Sequence, residues 1–368
     1  MKSIDLFLDV TYQAPLDSIQ EHEAANGSTI YSCPFFFIVP LGTEYPNHDK
    51  PLLCRVLPPS FEISDPHSES LSVTYELHTV VHYHEAHAID GGTPGKTEMT
   101  RVIKFLPFSE VGPPTHIASF PGEFNIEVTS SIRKHTLASH LGTFTLRTSE
   151  PLPLAYSQYE KRASTECALS IIAHASHELP RLRAISLEVK PAIKVKTFYS
   201  AEPITCLPKR TFLAENALIR LREDVIKLGR ETYTQLEWGK VSGPVNDKPP
   251  AYEEATGYNA QNRSTTESNL ARDRKNILRT SIQVPVRPPV TLPPTFCGSL
   301  ITRSYSLLLR MRVFGVHAQR ISLEVPLQVV YLRATPSRVE VVHDPESMSC
   351  IGASAILAQD DVLPVYDG

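Results

Sequence analysis

Two related β-sandwiches in tandem are what the sequence predicts, on three observations. Apolar residues recur at every second position over long stretches, the side-chain period of a strand with one buried face. Proline outnumbers glycine, 31 to 16, which suits many short strands with fixed turns and at least one open linker. A short word also occurs twice, "LPPSFEI" from Leu57 and "LPPTFCG" from Leu292, each time ahead of a strand bearing an early tyrosine. The prolines fix an extended approach and the phenylalanine is placed to plug one end of a sandwich.

The strands justify themselves in order. Tyr75, Leu77, Thr79, Val81 and Tyr83 form one stripe. In "ISLEVKPAIKVKTFY", Ile185, Leu187, Val189, Ile193 and Val195 share a face, and Ser186, Glu188, Lys190, Lys194 and Lys196 fall on the other. Tyr305, Leu307, Leu309, Met311 and Val313 alternate, and so do Ile321, Leu323, Val325, Leu327, Val329 and Tyr331. "GVHAQR" between those two runs is a hairpin connection of a few residues. One segment departs from the pattern. Leu218, Leu221, Val225 and Leu228 follow three–four spacing, which predicts an amphipathic helix, with a shorter strand over Ala217, Ile219 and Leu221 as the alternative.

A length of 368 residues accommodates two domains. The expected division is a first sandwich over 1–112, a second over 113–335, and a flexible tail over 336–368. From about Gly239 the chain turns rich in Ser, Thr, Asn, Gly and Pro and poor in large aliphatics, so it cannot bury enough apolar surface to offset its ordering entropy. Because strands resume afterwards, this predicts a disordered insertion at about 239–290 inside the second domain.

Composition narrows the function classes. Basic and acidic residues nearly balance, 36 to 40, which gives no global field for nucleic acid. The N-terminus has acidic residues within its apolar run and lacks the pattern of a secretory signal. No apolar run reaches bilayer length. The six cysteines, Cys33, Cys54, Cys167, Cys206, Cys297 and Cys350, lack CxxC spacing and read as reduced thiols of a cytoplasmic protein. No Gly-x-Ser-x-Gly elbow, Walker loop, HExxH or dinucleotide fingerprint is present, so nothing positive marks an enzyme, and no cofactor is expected.

The order of these pieces resembles the fungal arrestin-like (arrestin-related trafficking adaptor) family. The two LPP[ST]F units with their strands are similar to the paired immunoglobulin-like sandwiches of the arrestin fold. "YSCPFFFIVP", Tyr31 to Pro40, is similar to the aromatic strand that leads to the first LPPSF element. "LPRLRAISLEVKPAIKVKTFYS" and "LPPTFCGSLITRSYSLLLRMRVFGVHAQRISLEVPLQVVY" are similar to the middle and the closing hairpin of the second arrestin domain. About 30 residues precede Tyr31 where that family has several strands. The expectation is therefore an incomplete first sandwich, through a truncated gene model, a short form, or an exposed edge that pairs with another chain.

Within the polar insertion lies "DKPPAYEEATGYN". Pro249-Pro250-Ala251-Tyr252 is a PPxY sequence, the ligand type read by WW domains. The prolines hold the backbone near polyproline II before binding, and Tyr252 fills a second pocket. The bland alternative is a plain turn. Leu363-Pro364-Val365-Tyr366 resembles the LPxY variant, with one proline fewer; two such sites could engage tandem WW domains, against the alternative of a frayed tail. The resemblance implies a non-catalytic adaptor that recruits a WW-domain HECT-type ubiquitin ligase to a plasma-membrane transporter or receptor, which is ubiquitinated and endocytosed. It implies ubiquitin as a further partner and peripheral contact with the plasma membrane or endosomes. A scaffold of the same fold without ligase recruitment is the rival.

Three smaller groups each have a plain alternative. His78, His82 and His84 share one face of a strand with His87 nearby, a metal-ligand pattern or simply a solvated face. Lys190, Lys194 and Lys196 are ubiquitin acceptors or contacts to phosphorylated cargo, or a solvated face. Arg272, Arg274, Lys275 and Arg279 beside Asp273 meet anionic headgroups, or form a solvated charge run.

Overall fold

The computed structural model describes residues 9–24, 26–27, 29–35, 37, 57–63, 71–84, 94–109, 111–134, 140–157, 162–175, 183–204, 208–240 and 277–333. The chain divides between Arg333 and Ala334. The fold is mainly β, as the alternation predicts.

Among the described residues of roughly the first hundred, three separate two-stranded antiparallel sheets form. These are β1 (Gln20–Glu23) with β2 (Thr29–Ser32), β3 (Phe61–Ile63) with β4 (Leu71–Val73), and β5 (Tyr75–His84) with β6 (Pro94–Ile103). Their apolar residues stay largely outside: Tyr31, Val81, Met99 and Val102 are exposed, while Leu57, Val73 and Tyr75 are buried at one end.

The second region has two sheets that contribute to one core. In chain order it contains β7 (Glu127–Arg133), β8 (His140–Thr148), β9 (Leu154–Ser157), β10 (Thr165–Ala175) and β11 (Ser186–Ser200). A short helix α1 (Arg210–Glu215) follows, then β12 (Ile219–Lys227), β13 (Glu231–Tyr233), β14 (Gly239–Lys240) and β15 (Ile277–Val286). The closing strands are β16 (Phe296–Cys297), β17 (Ile301–Phe314), β18 (His317–Ala318), β19 (Ile321–Leu327) and β20 (Val329–Leu332). One sheet runs β14-β15-β10-β8-β7-β18. The other runs β12-β11-β17-β16, with β13 also on β11 and β19 also on β17. Phe144, Leu169 and Val284 from the first sheet meet Ile193, Leu309 and Leu323 from the second in one core. Burying each such side chain contributes about 1.5–3 kcal/mol. β17 turns towards β18 through Gly315 at φ +90, a conformation that suits a residue without a Cβ.

Two expectations need correction. The predicted helix over Leu218–Leu228 is strand β12, paired antiparallel along β11 with Phe198 opposite Leu221 and Lys194 opposite Val225. Leu218 and Val225 are exposed, so the three–four stripe is not a buried face. The edge of the fifteen-residue β11 satisfies the backbone of the segment instead, and the β-branched Ile219, Val225 and Ile226 suit a strand. The insertion was also drawn too wide. Gly239 pairs with Arg279 and Lys240 with Leu278, and β15 alternates with Leu278, Thr280, Ile282, Val284 and Val286 buried. Residues 241–276 lie outside the described residues.

Candidate functional site

The repeated word is a repeated structure. Tyr75 donates from its hydroxyl to the carbonyl of Pro58 at 2.6 Å, and Tyr305 does the same to Pro293 at 2.6 Å. Both prolines are the first of their pair, and Leu57 and Leu292 ahead of them are both buried. The hydroxyl residue is used identically. Ser60 donates its N–H to the carbonyl of Phe105 at 2.7 Å while its Oγ accepts from the N–H of Phe105 at 2.8 Å. Thr295 donates to Val329 O at 2.8 Å and its Oγ1 accepts from Val329 N–H at 3.1 Å. Phe61 and Phe296 touch, centroids 5.5 Å apart, so the two corners abut. A Cβ on Gly298 would come within 2.9 Å of the Ile301 carbonyl, with Pro58 at 3.9 Å, which explains glycine at the junction.

The WW-ligand residues Pro249, Pro250 and Tyr252 lie outside the described residues, as do Leu363, Pro364 and Tyr366. What is described is the base of the insertion. Among the described residues β14 is the outermost strand of its sheet and pairs only with β15, so the described chain stops at Lys240 and resumes at Ile277 on one sheet edge. Arg279 of the basic cluster is exposed on β15; Arg272, Arg274 and Lys275 lie outside the described residues.

The lysine stripe is not one solvated face. Lys190 is exposed and pairs with Glu188 at 3.2 Å. Lys196 is only 3% exposed, with Nζ 2.7 Å from Glu123 and 3.6 Å from Glu324. Lys194 meets Glu324 at 2.6 Å. The Lys196 ammonium also lies 5.1 Å from the Phe124 ring centroid. Glu123 accepts in addition from the backbone N–H of Arg210, the first residue of α1, at 2.7 Å, and Ser306 donates to Glu324 at 2.7 Å. A buried charge persists only when paired and hydrogen-bonded, and here each is. Burial acts to raise the Glu324 carboxyl, but hydrogen bonds from Lys194 and Ser306 and the charges of both lysines hold it below the usual range. Lys196 therefore fastens the segment around Glu123 and helix α1 onto the sheet, while Lys194 ties β11 to Glu324 of β19. Sequence reasoning missed Glu123, Ser306 and Glu324 because Lys196 and Glu123 are 73 residues apart and Lys194 and Glu324 are 130 apart, so no local spacing announces them.

His78 and His82 are exposed on β5, and Lys96 and Glu98 pair on the facing strand. His78 lies 3.9 Å from Glu98, and His87 is outside the described residues. Among the described residues no group of three or more His, Cys, Asp or Glu side chains is arranged to hold a metal. Burial pushes the Cys167 thiol up, opposed by its contact with Thr148. No helix among the described residues is long and apolar enough to cross a membrane.

No family model and no curated protein sequence matches the chain. The class that fold and site define is a mainly-β protein of several sheets with a duplicated proline corner.

Proposed function

We propose that the chain is a non-catalytic adaptor of the arrestin-like kind. Its PPxY segment, Pro249-Pro250-Ala251-Tyr252, is a ligand for a WW domain of a HECT-type ubiquitin ligase, and its sandwich surfaces engage a plasma-membrane transporter or receptor. The ligase then ubiquitinates the cargo, which is endocytosed, while the adaptor acts at the plasma membrane or endosomes from the cytoplasm. Its contribution is proximity: tethering raises the effective concentration of ligase at the cargo, and no bond chemistry falls to the adaptor.

The observation that carries this reading is the base of the insertion. The described chain on either side of the insertion is the outermost strand pair of a sheet, β14 with β15, and a segment joined there at a sheet edge suits a peptide offered to a groove. The duplicated corner supports the tandem-sandwich part. Titration of the full chain with an isolated WW domain tests it. The Tyr252→Ala variant should bind about tenfold more weakly or worse, since it empties one of the two pockets of this mode. Tyr366→Ala should reduce binding only to a tandem WW pair, through lost avidity. Unchanged binding after Tyr252→Ala overturns the adaptor reading.

A further inference from the structure

The duplication extends from the corner into the strands that follow it, with the same register. Tyr75 of β5 stands opposite Ile103 of β6, two residues before Phe105; Tyr305 of β17 stands opposite Leu327 of β19, two residues before Val329. β5 thus corresponds to β17 and β6 to β19. The difference lies on the other side. β17 is paired along fourteen residues by β11, from Tyr199 opposite Ile301 to Ser186 opposite Phe314. β5 pairs with β6 alone among the described residues, so no described strand stands where β11 stands in the other repeat.

An edge ten residues long with no partner among the described residues is a template for another strand unless charge or proline blunts it. Two other edges among the described residues are blunted. β12 carries Arg220, Arg222, Glu223, Asp224 and Lys227, and β6 carries Pro94, Lys96, Glu98 and Arg101. From Leu77 to His82, β5 has no formally charged carboxylate, lysine or arginine and consists of Leu, His, Thr, Val, Val and His.

We propose that this edge binds a second copy of the chain, strand β5 pairing antiparallel with its own symmetry mate in a continuous β6-β5-β5-β6 sheet. The sequence is self-complementary about Thr79. With a two-fold axis normal to the sheet beside that residue, Thr79 faces Thr79, His78 faces Val80, Leu77 faces Val81 and Glu76 faces His82. Side chains so opposed are neighbours on one face, and Thr–Thr, apolar and opposite-charge pairs are the favourable kinds. Glu76 and His82 are exposed, and among the described residues neither makes a hydrogen bond or an ion pair of its own. The exposed Val81 and Met99 would share one apolar face doubled in width. A closed two-fold interface of this kind ends at the dimer, because the outer edges are the charged β6 strands. The proposal is independent of the adaptor reading.

Sedimentation velocity of the full chain, over a concentration series reaching about 100 μM so that a micromolar interface is populated, reads it out. The native chain should pass from monomer to dimer. Glu76→Lys and His82→Glu, both at exposed positions, should each weaken self-association by about tenfold or more, since each spoils two contacts per dimer. An equimolar mixture of the two variants should associate again, because each substituted residue then faces an opposite charge. Thr97→Lys, on β6, should leave the dimer as it is. A native chain monomeric throughout overturns the proposal. So does a dimer that neither variant weakens, a mixture no tighter than its components, or a dimer broken equally by Thr97→Lys.

Discussion

Met99 and Leu323 occupy the same place in the two halves of this molecule, and the first is 61% exposed while the second is 0%. Val81 and Met311 repeat the contrast at 51% and 2%. The local chemistry is shared: the same corner, the same tyrosine-to-proline bond, the same hairpin register. Layers make the difference. β17 and β19 face a second sheet and have β11 at their side, whereas β5 and β6 have neither among the described residues. A hairpin alone is marginal in water, and burial against a second layer is what turns an alternating pattern into a core.

That contrast can be broken from the strong side first. Lys196→Met removes one partner of the buried pair with Glu123 and leaves a carboxylate stranded, a loss of about 3–5 kcal/mol. Chemical denaturation followed by tryptophan fluorescence should show the midpoint falling, because Trp238 packs against this core. Tyr305→Phe and Tyr75→Phe then sharpen the comparison, since each deletes one equivalent hydroxyl. Tyr305→Phe should lower global stability by about 1–2 kcal/mol. Tyr75→Phe should leave the global midpoint in place and speed amide exchange only in the β5–β6 hairpin. The smallest effect is on acid stability. Glu324 is held below its ordinary range in the fold, so its contribution is complete above the unfolded carboxylate value of about 4.3 and is lost as the pH falls through the lower folded value. Glu324→Gln should flatten the acid limb of a stability–pH curve below about 4.3.

Much of this was legible in the sequence. The alternation over Ile185–Val195 and Tyr305–Val313 marks β11 and β17, and the LPP[ST]F echo marks corners that match atom for atom in their hydrogen bonds. What failed did so where a distant partner decides. β12 carries a helical spacing, yet the open edge of β11 makes it a strand. Lys196 sits at a polar position of an alternating strand, yet Glu123 and Phe124 cover it. Neither partner is visible from the local residues. The Thr79 self-complementarity of β5 becomes meaningful only once the repeat shows which edge has no described partner.

Hydrogen exchange of β5 and β17 in the same sample, at two protein concentrations, tests the central contrast most directly. In dilute solution the amides of Tyr75–His84 should exchange far faster than those of Ile301–Phe314, and their protection should rise with concentration while that of β17 stays constant. Equal protection of the two strands in dilute solution would contradict the account.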